Sequence, residues 1–181
     1  MRTVIAIFGR FIASFVVLYK AVCSINYQFR EKLIMSNYHL AQLNIAKAKD
    51  EMNSATMKGF VDRLDEINSL ADRSPGFIWR LQTEEGDATS IKIFNDPSLI
   101  VNMSVWENIE SLKNYVYKSV HIELIRSRNE WFHKMDRLHQ VLWYVPIGHK
   151  PSVEEAEAKL LYLEQHGSTE NAFTFAKPYI R

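Results

Sequence analysis

Hydrophobic and polar positions follow a regular succession of periods from residue 38 onward. Tyr38 to Ala46 is a short apolar-rich run typical of a strand. Between Ala55 and Asp72, apolar residues recur every three or four positions, which predicts an amphipathic helix. Ser54 or Thr56 is available to cap its start, and Ser74-Pro75-Gly76 ends it. The region therefore begins with a strand and a helix.

The rest of the pattern predicts three more strands, a long helix with a break near Ser119, and a final helix capped by Ser152 and closed by Gly167. A short extra strand is expected at Ser90–Phe94. The main elements are the strand Phe77–Gln82, the strand Leu99–Trp106, the helix Asn108–Met135 and the strand His139–Val145. The order β-α-β-β-α-β predicts an α+β, ferredoxin-like fold with a four-stranded antiparallel sheet and an extra C-terminal helix.

The third predicted strand presents two different faces. Its apolar face consists of Leu99, Val101, Met103 and Val105, and its mixed face consists of Ile100, Asn102, Ser104 and Trp106. The first strand contributes Leu40, Gln42 and Asn44 to the same mixture. Since both helices of this fold lie on one side of the sheet, we expect the mixed face to be left open. A second copy packed on it would form a homodimer with a cavity between the two sheets.

Composition limits the classes of function. The 181 residues are 47% hydrophobic and 24% charged, which is typical of one globular domain. Residues 35–181 carry 17 basic and 20 acidic residues and no basic stripe, which argues against nucleic acid as a partner. The single cysteine, Cys23, excludes an internal disulfide and a cysteine-based zinc site. A reducing cytoplasm is therefore the expected location.

Residues 1–34 form an apolar extension interrupted by Arg10 and Lys20. Arg10 is costly near the middle of a spanning helix, and no small-residue cleavage site follows the apolar run. We favour natural translation from Met35, with a membrane-associated helix as the alternative. The functional domain is expected at residues 35–181, and contact with a membrane only through residues 1–34.

Several segments together resemble a known family. They are Leu43–Ala46, Ser74–Leu81, Val101–Glu107, Trp131-Phe132, Trp143–Pro146 with His149 and Pro151, and Ala172–Phe175. Across about Tyr38 to Pro178 the chain resembles the bacterial domain-of-unknown-function family 3291, which is similar to the antibiotic-biosynthesis monooxygenases. The resemblance implies a dimeric α/β-barrel. Relatives of the family include cofactor-independent oxygenases, isomerases, haem-binding enzymes and binding modules.

His121 and Arg128 are the candidate catalytic pair, because seven residues separate them on one predicted helix face. His121 can move a proton at neutral pH, and Arg128 can hold a carboxylate or an enolate. The alternative is structural: His121 bonds within its helix, and Arg128 pairs with Glu123 or Glu130 on a solvated face.

Polar and aromatic residues supply candidate contacts to a small apolar or aromatic ligand. Asn44, Asn102 and Ser104 can donate hydrogen bonds to an oxyanion, or can bond one another across strands. The aromatic candidates for a pocket wall, which equally suit a core or a dimer interface, are Trp79, Trp106, Trp131, Trp143, Tyr115 and Tyr117.

No metal or cofactor site is predicted. The six histidines lack HxxxH or HExxH spacing, and His121 is the one helical histidine that we consider as a haem ligand. Motifs for a nucleophilic serine or a nucleotide phosphate are absent from the sequence. Two hypotheses follow: a monooxygenase-like or isomerase-like enzyme acting on an enolisable molecule, and a non-catalytic module that binds a ligand or self-associates.

Overall fold

The computed structural model describes residues 37–118 and 127–179 of the chain. Within those ranges the strands are β1 (Tyr38–Ala48), β2 (Phe77–Arg80), β3 (Leu99–Trp106), β4 (Phe132–His133) and β5 (Gln140–Pro146). The helices are α1 (Lys58–Val61), α2 (Leu64–Asp72), α3 (Ile109–Lys118) and α4 (Val153–His166), and residues 127–131 are also helical.

The strands form one antiparallel sheet with β1 at its centre. β1 pairs on one side with β3, which in turn pairs with β2. On its other side, β1 pairs along most of its length with β5 and at its end with β4. The spatial order β2-β3-β1-β5 is that of the ferredoxin-like fold, so the α+β class is confirmed.

Most predicted elements are confirmed with small shifts at their ends. β3 has the predicted bounds. Ser152 caps α4 by accepting a hydrogen bond from the Glu155 amide, and Gly167 closes this helix with φ at 71°. Gly76 ends the turn after α2 at a φ of 78°, where a Cβ atom would clash with the Ser111 side chain.

Three details of the prediction are wrong. The helix Ala55–Asp72 is split into α1 and α2 because its two parts bury apolar residues in different clusters, Met57 beside Trp131 and Ala71 beside Trp106. Ser54 does bond the Met57 amide, at 3.3 Å, but in the turn before α1.

The extra strand at Ser90–Phe94 is not formed, because Phe94 and Asn95 have positive φ angles of 53° and 51° and make a turn. The predicted break near Ser119 lies outside the described residues, and the helical residues 127–131 end at Trp131 and not at Met135. Phe132 and His133 instead pair with the last residues of β1, beyond the end of β5.

The apolar face of the sheet is covered by α4. Val101, Met103 and Val105 are at most 2% exposed and pack in one cluster with Ala156 and Leu160 of that helix. Ile93, from the segment between β2 and β3, is fully buried in the same cluster. The prediction that this face is core is confirmed.

The mixed face is covered by α2 and α3, which corrects the expectation that it is open. Trp106 is fully buried in a cluster with Leu40, Ala71 of α2 and Leu112 of α3. This chain's own helices therefore occupy the face that was assigned to a second copy. Among the described residues, no helix is both long and apolar enough to cross a membrane.

Candidate functional site

A small cavity lies between the mixed face and the helices that cover it. β3 contributes Asn102, Ser104 and Trp106 to its wall, and α2 contributes Asn68. The volume is about 80 Å³. Pockets for drug-sized ligands usually measure about 300 to 1,000 Å³. The cavity therefore suits a few waters or a ligand of only a few heavy atoms.

A hydrogen-bond cluster lines the sheet side of the cavity. The Gln42 Nε2 atom donates to Asn102 Oδ1 at 2.8 Å and to Ser104 Oγ at 3.2 Å. The Trp106 indole also donates to Ser104 Oγ, at 2.8 Å. Ser104 is 7% exposed, so its oxygen accepts these two hydrogen bonds almost completely shielded from solvent. With both lone pairs used, the hydroxyl proton of Ser104 is available to donate.

Asn102 adds further donors at the same wall. Its Oδ1 is occupied by Gln42, while its Nδ2 atom has no protein acceptor within the described residues. Asn102 is exposed, so it lies where the cavity meets solvent. Together Ser104 and Asn102 provide the pair of donors that an oxyanion or a polarised carbonyl requires.

Aromatic rings hold this wall in place. The Tyr115 ring stacks on Trp106 with centroids 5.0 Å apart, and Phe77 meets the same indole edge-on at 5.3 Å. Tyr115 donates its hydroxyl to the Ile67 carbonyl, at 3.4 Å. Burial raises the pKa of Tyr115 far above its usual value, and this effect outweighs the opposing charge of Arg80. Tyr115 is therefore a neutral wall of the cavity and not a proton acceptor.

Arg80 lines the cavity from β2, but its charge is already compensated. Its guanidinium donates to both carboxylate oxygens of Asp72, at 2.9 and 3.3 Å, and to the Gly86 carbonyl at 2.7 Å. The Arg80 side chain is 15% exposed. Since Asp72 neutralises it, the cavity presents donors without a net positive charge, an arrangement that favours a neutral carbonyl over a carboxylate as ligand.

Asp87, from the loop after β2, also lines the cavity. Its Oδ1 accepts from the Thr89 amide and from the Thr89 hydroxyl, both at 2.7 Å. Its backbone carbonyl accepts from the Thr83 amide, also at 2.7 Å. The loop after β2 therefore holds Asp87 in a defined position on the cavity wall.

Three of the predicted ligand-binding residues line the cavity: Asn102, Ser104 and Trp106. Five others lie elsewhere. Asn44 is half-buried beside Asn102 on β1, Trp79 packs on the apolar face, Tyr117 is 52% exposed against Phe175, Trp131 packs on Phe60, and Trp143 donates to Glu155 in the core.

Neither residue of the predicted catalytic pair is among the described residues that line the cavity. Arg128 is exposed on the helical turn 127–131 and does not line the cavity wall. His121 lies outside the described residues. In the described part of the chain, no three histidine, cysteine, aspartate or glutamate side chains gather in a way that could hold a metal ion.

Residues of the site that were not among the predicted ligand contacts include Gln42, Asn68, Arg80 and Asp87. Gln42 carried a signal, because it interrupts the buried strand β1 on the same face as Asn44. Arg80 carried none, since a bulge between Phe77 and Trp79 decides which face it takes. Asp87 is a turn residue in the sequence, and only the folded loop brings it to the cavity.

The sheet order, with a polar cavity between the sheet and its helices, defines a ferredoxin-like α+β protein with a candidate small-molecule site. Residues 39–181 match the family described as domain of unknown function (DUF3291), so the chain belongs to this family. No curated protein matches the chain.

Solved structures resemble part of the chain. A protein of unknown function from Nitrosomonas europaea aligns with 12% identity and a TM-score of 0.41, covering 65% of this chain and 96% of that one. A candidate antibiotic biosynthesis monooxygenase from the same organism aligns with 11% identity and a TM-score of 0.42, with the same coverage. Another from Chloroflexus aurantiacus J-10-fl has 16% identity and a TM-score of 0.36, covering 64% of this chain and 98% of that one.

Proposed function

We propose that this protein binds a small neutral carbonyl compound in the cavity between β3 and α2, and stabilises its enolate form as an isomerase-like enzyme does. The observation that carries the proposal is the saturated oxygen of Ser104. Because Gln42 and Trp106 both donate to it, the hydroxyl can act toward a ligand only as a donor. The Asn102 amide nitrogen, which has no acceptor in the described part of the chain, supplies a second donor at the same wall.

Charge and size support the choice of ligand class. Arg80 is neutralised by Asp72, so a carboxylate ligand would gain little from it. A volume of about 80 Å³ limits the ligand to a few heavy atoms. Hydrogen bonds from Ser104 and Asn102 to a ligand oxygen would strengthen as that oxygen gains negative charge, which is the physical basis of catalysis by an oxyanion hole.

A monooxygenase would start from the same enolate and add molecular oxygen. Measuring turnover with and without oxygen separates it from an isomerase.

A non-catalytic binding module is the second candidate, favoured by the small cavity volume. The cytoplasmic location and the homodimer that the sequence predicts belong to this proposal as well. Because α2 and α3 cover the mixed face, the second copy would pack on another surface, and the mass of the native protein in solution tests the dimer.

Asn102→Asp tests the proposal in the full chain, with butanone as the probe and NMR shift changes as the measure of binding. The variant keeps an acceptor for Gln42 but replaces the free N–H donors with a carboxylate oxygen. We expect butanone affinity to fall about three- to tenfold, the size of one lost hydrogen bond.

Asn44→Asp is the matched control. Asn44 is the register partner of Asn102 on β1, shares its face and does not line the cavity. It should bind butanone as the wild type does. Equal loss in both variants would mean that added charge and not donor loss weakens binding, and unchanged binding in Asn102→Asp would contradict the site.

A further inference from the structure

We propose that Asp87 is the catalytic base of this site and removes a proton from the carbon beside the ligand carbonyl. The inference rests on the proposed function and adds the group that an enolisation needs besides the donors. Enolisation requires a proton acceptor in the same cavity as the donors that hold the oxyanion. Among the described residues that line the cavity, Asp87 is the one carboxylate.

The loop hydrogen bonds leave one oxygen of Asp87 for chemistry. Oδ1 is held by the amide and hydroxyl of Thr89, while Oδ2 has no hydrogen bond to the described part of the chain. The backbone of the same residue is fixed through Thr83, and that of the preceding Gly86 through Arg80. A carboxylate fixed at one oxygen and free at the other is oriented for proton transfer.

Asp72 and Asp87 differ in whether a neighbouring cation compensates their negative charge. Asp72 forms an ion pair with Arg80, which donates to both of its carboxylate oxygens. Asp87 forms no ion pair with the described residues and is half-buried on the cavity wall. Of the two carboxylates, only Asp87 combines access to the cavity with an uncompensated charge.

The reaction step balances without an added oxidant or cofactor. The C–H bond beside the carbonyl breaks, and its proton passes to Asp87 Oδ2. The electron pair forms the C=C bond of the enolate, and the carbonyl oxygen takes up the negative charge beside Ser104 and Asn102. In deuterated water the proton held by Asp87 exchanges with a solvent deuteron. Transfer of that deuteron from Asp87 to the same carbon regenerates the ketone with one hydrogen replaced by deuterium.

The chain contains a matched control for the structural role of Asp87. Asp96 Oδ1 accepts from the Ser98 amide at 2.9 Å and from the Ser98 hydroxyl at 2.6 Å, the same arrangement that Asp87 makes with Thr89. Asp96 does not line the cavity. Changing each aspartate to asparagine keeps the acceptor of the turn and removes the base.

The experiment measures deuterium incorporation into butanone by proton NMR in deuterated water, with butanone binding measured separately on the same full-chain samples. Wild type and Asp96→Asn should catalyse exchange, and Asp87→Asn should bind butanone as well as wild type does but exchange it at least about 100-fold more slowly. His121→Ala is included because His121 is the base that the sequence predicts.

Each of the other possible outcomes contradicts a specific part of the proposal. Binding without exchange in the wild type would overturn the assignment of Asp87 while leaving the binding site in place. Undiminished exchange in Asp87→Asn, or an equal loss in Asp96→Asn, would do the same. Loss of exchange in His121→Ala alone would assign the base to His121. Absence of butanone binding would overturn the proposed function, and the role of Asp87 with it.

Discussion

The two faces of the sheet differ in what packs against them. The apolar face is closed by α4 in a continuous hydrophobic cluster, whereas the mixed face carries the Ser104 cluster and the cavity under α2. Strand β3 contributes to both through simple alternation of its side chains. We therefore expect substitutions on the apolar face to change mainly stability, and substitutions in the Ser104 cluster to change the proposed ligand binding as well.

The largest effect is expected on the apolar face. Leu160→Ala removes a fully buried side chain of α4 and should lower the free energy of unfolding by about 2 to 5 kcal/mol, through lost burial and the cavity left behind. The neighbouring Leu161 is 41% exposed, so Leu161→Ala should change it by no more than about 0.5 kcal/mol. Urea unfolding of both variants checks the contrast. Similar losses of unfolding free energy in the two variants would contradict the packing of α4 on the sheet through Leu160.

A smaller loss of stability is expected on the mixed face. Ser104→Ala leaves the donors of Gln42 and Trp106 without their shared acceptor, which should cost about 1 to 3 kcal/mol in urea unfolding. Trp106→Phe, measured alone and combined with Ser104→Ala, forms a double-mutant cycle. Strictly additive losses in that cycle would show that the indole hydrogen bond does not contribute.

The smallest effect is a pH dependence from Tyr115. Burial raises the pKa of Tyr115 in the folded state above its ordinary value of 10.0, so above that pH the unfolded chain releases this proton first. The contribution is therefore intact below about pH 10 and is lost as pH rises, by about 1 kcal/mol at pH 11.

Tyr115→Phe should remove that part of the alkaline loss, as measured by unfolding at pH 9 and pH 11. Tyr117→Phe is the control, because Tyr117 is 52% exposed and lies on the same helix. Equal alkaline slopes for wild type and Tyr115→Phe would contradict the buried state of this phenol.

The sequence predicted the strands well because alternation and flanking turns are local properties. The bounds of β3 and the cap at Ser152 followed from neighbouring residues alone. The composition of the mixed face was also predicted, and Asn102 and Ser104 do line the cavity. Which element covers that face was predicted wrongly, because an amphipathic pattern shows that α2 buries a stripe but not the surface that receives it.

The missing half of the site depends on tertiary structure. A bulge between Phe77 and Trp79 changes the phase of β2, so Phe77 lies on the mixed face, Trp79 on the apolar face and Arg80 beside the cavity. Simple alternation would put Phe77 and Trp79 on the same face. Asp87 reaches the cavity only through the fold of its loop, and no local pattern carries that information.

The central position of β1 has a consequence for how the chain acquires its structure during synthesis. β1 leaves the ribosome before any of its sheet partners, yet Leu40 pairs with both Trp106 and Tyr144. At translation rates of about 5 to 20 residues per second, the central strand waits on the order of 10 seconds for its last neighbour. During that interval the backbone edges of β1 lack their partners and its apolar side chains are exposed. This newly made segment would therefore need protection by a chaperone.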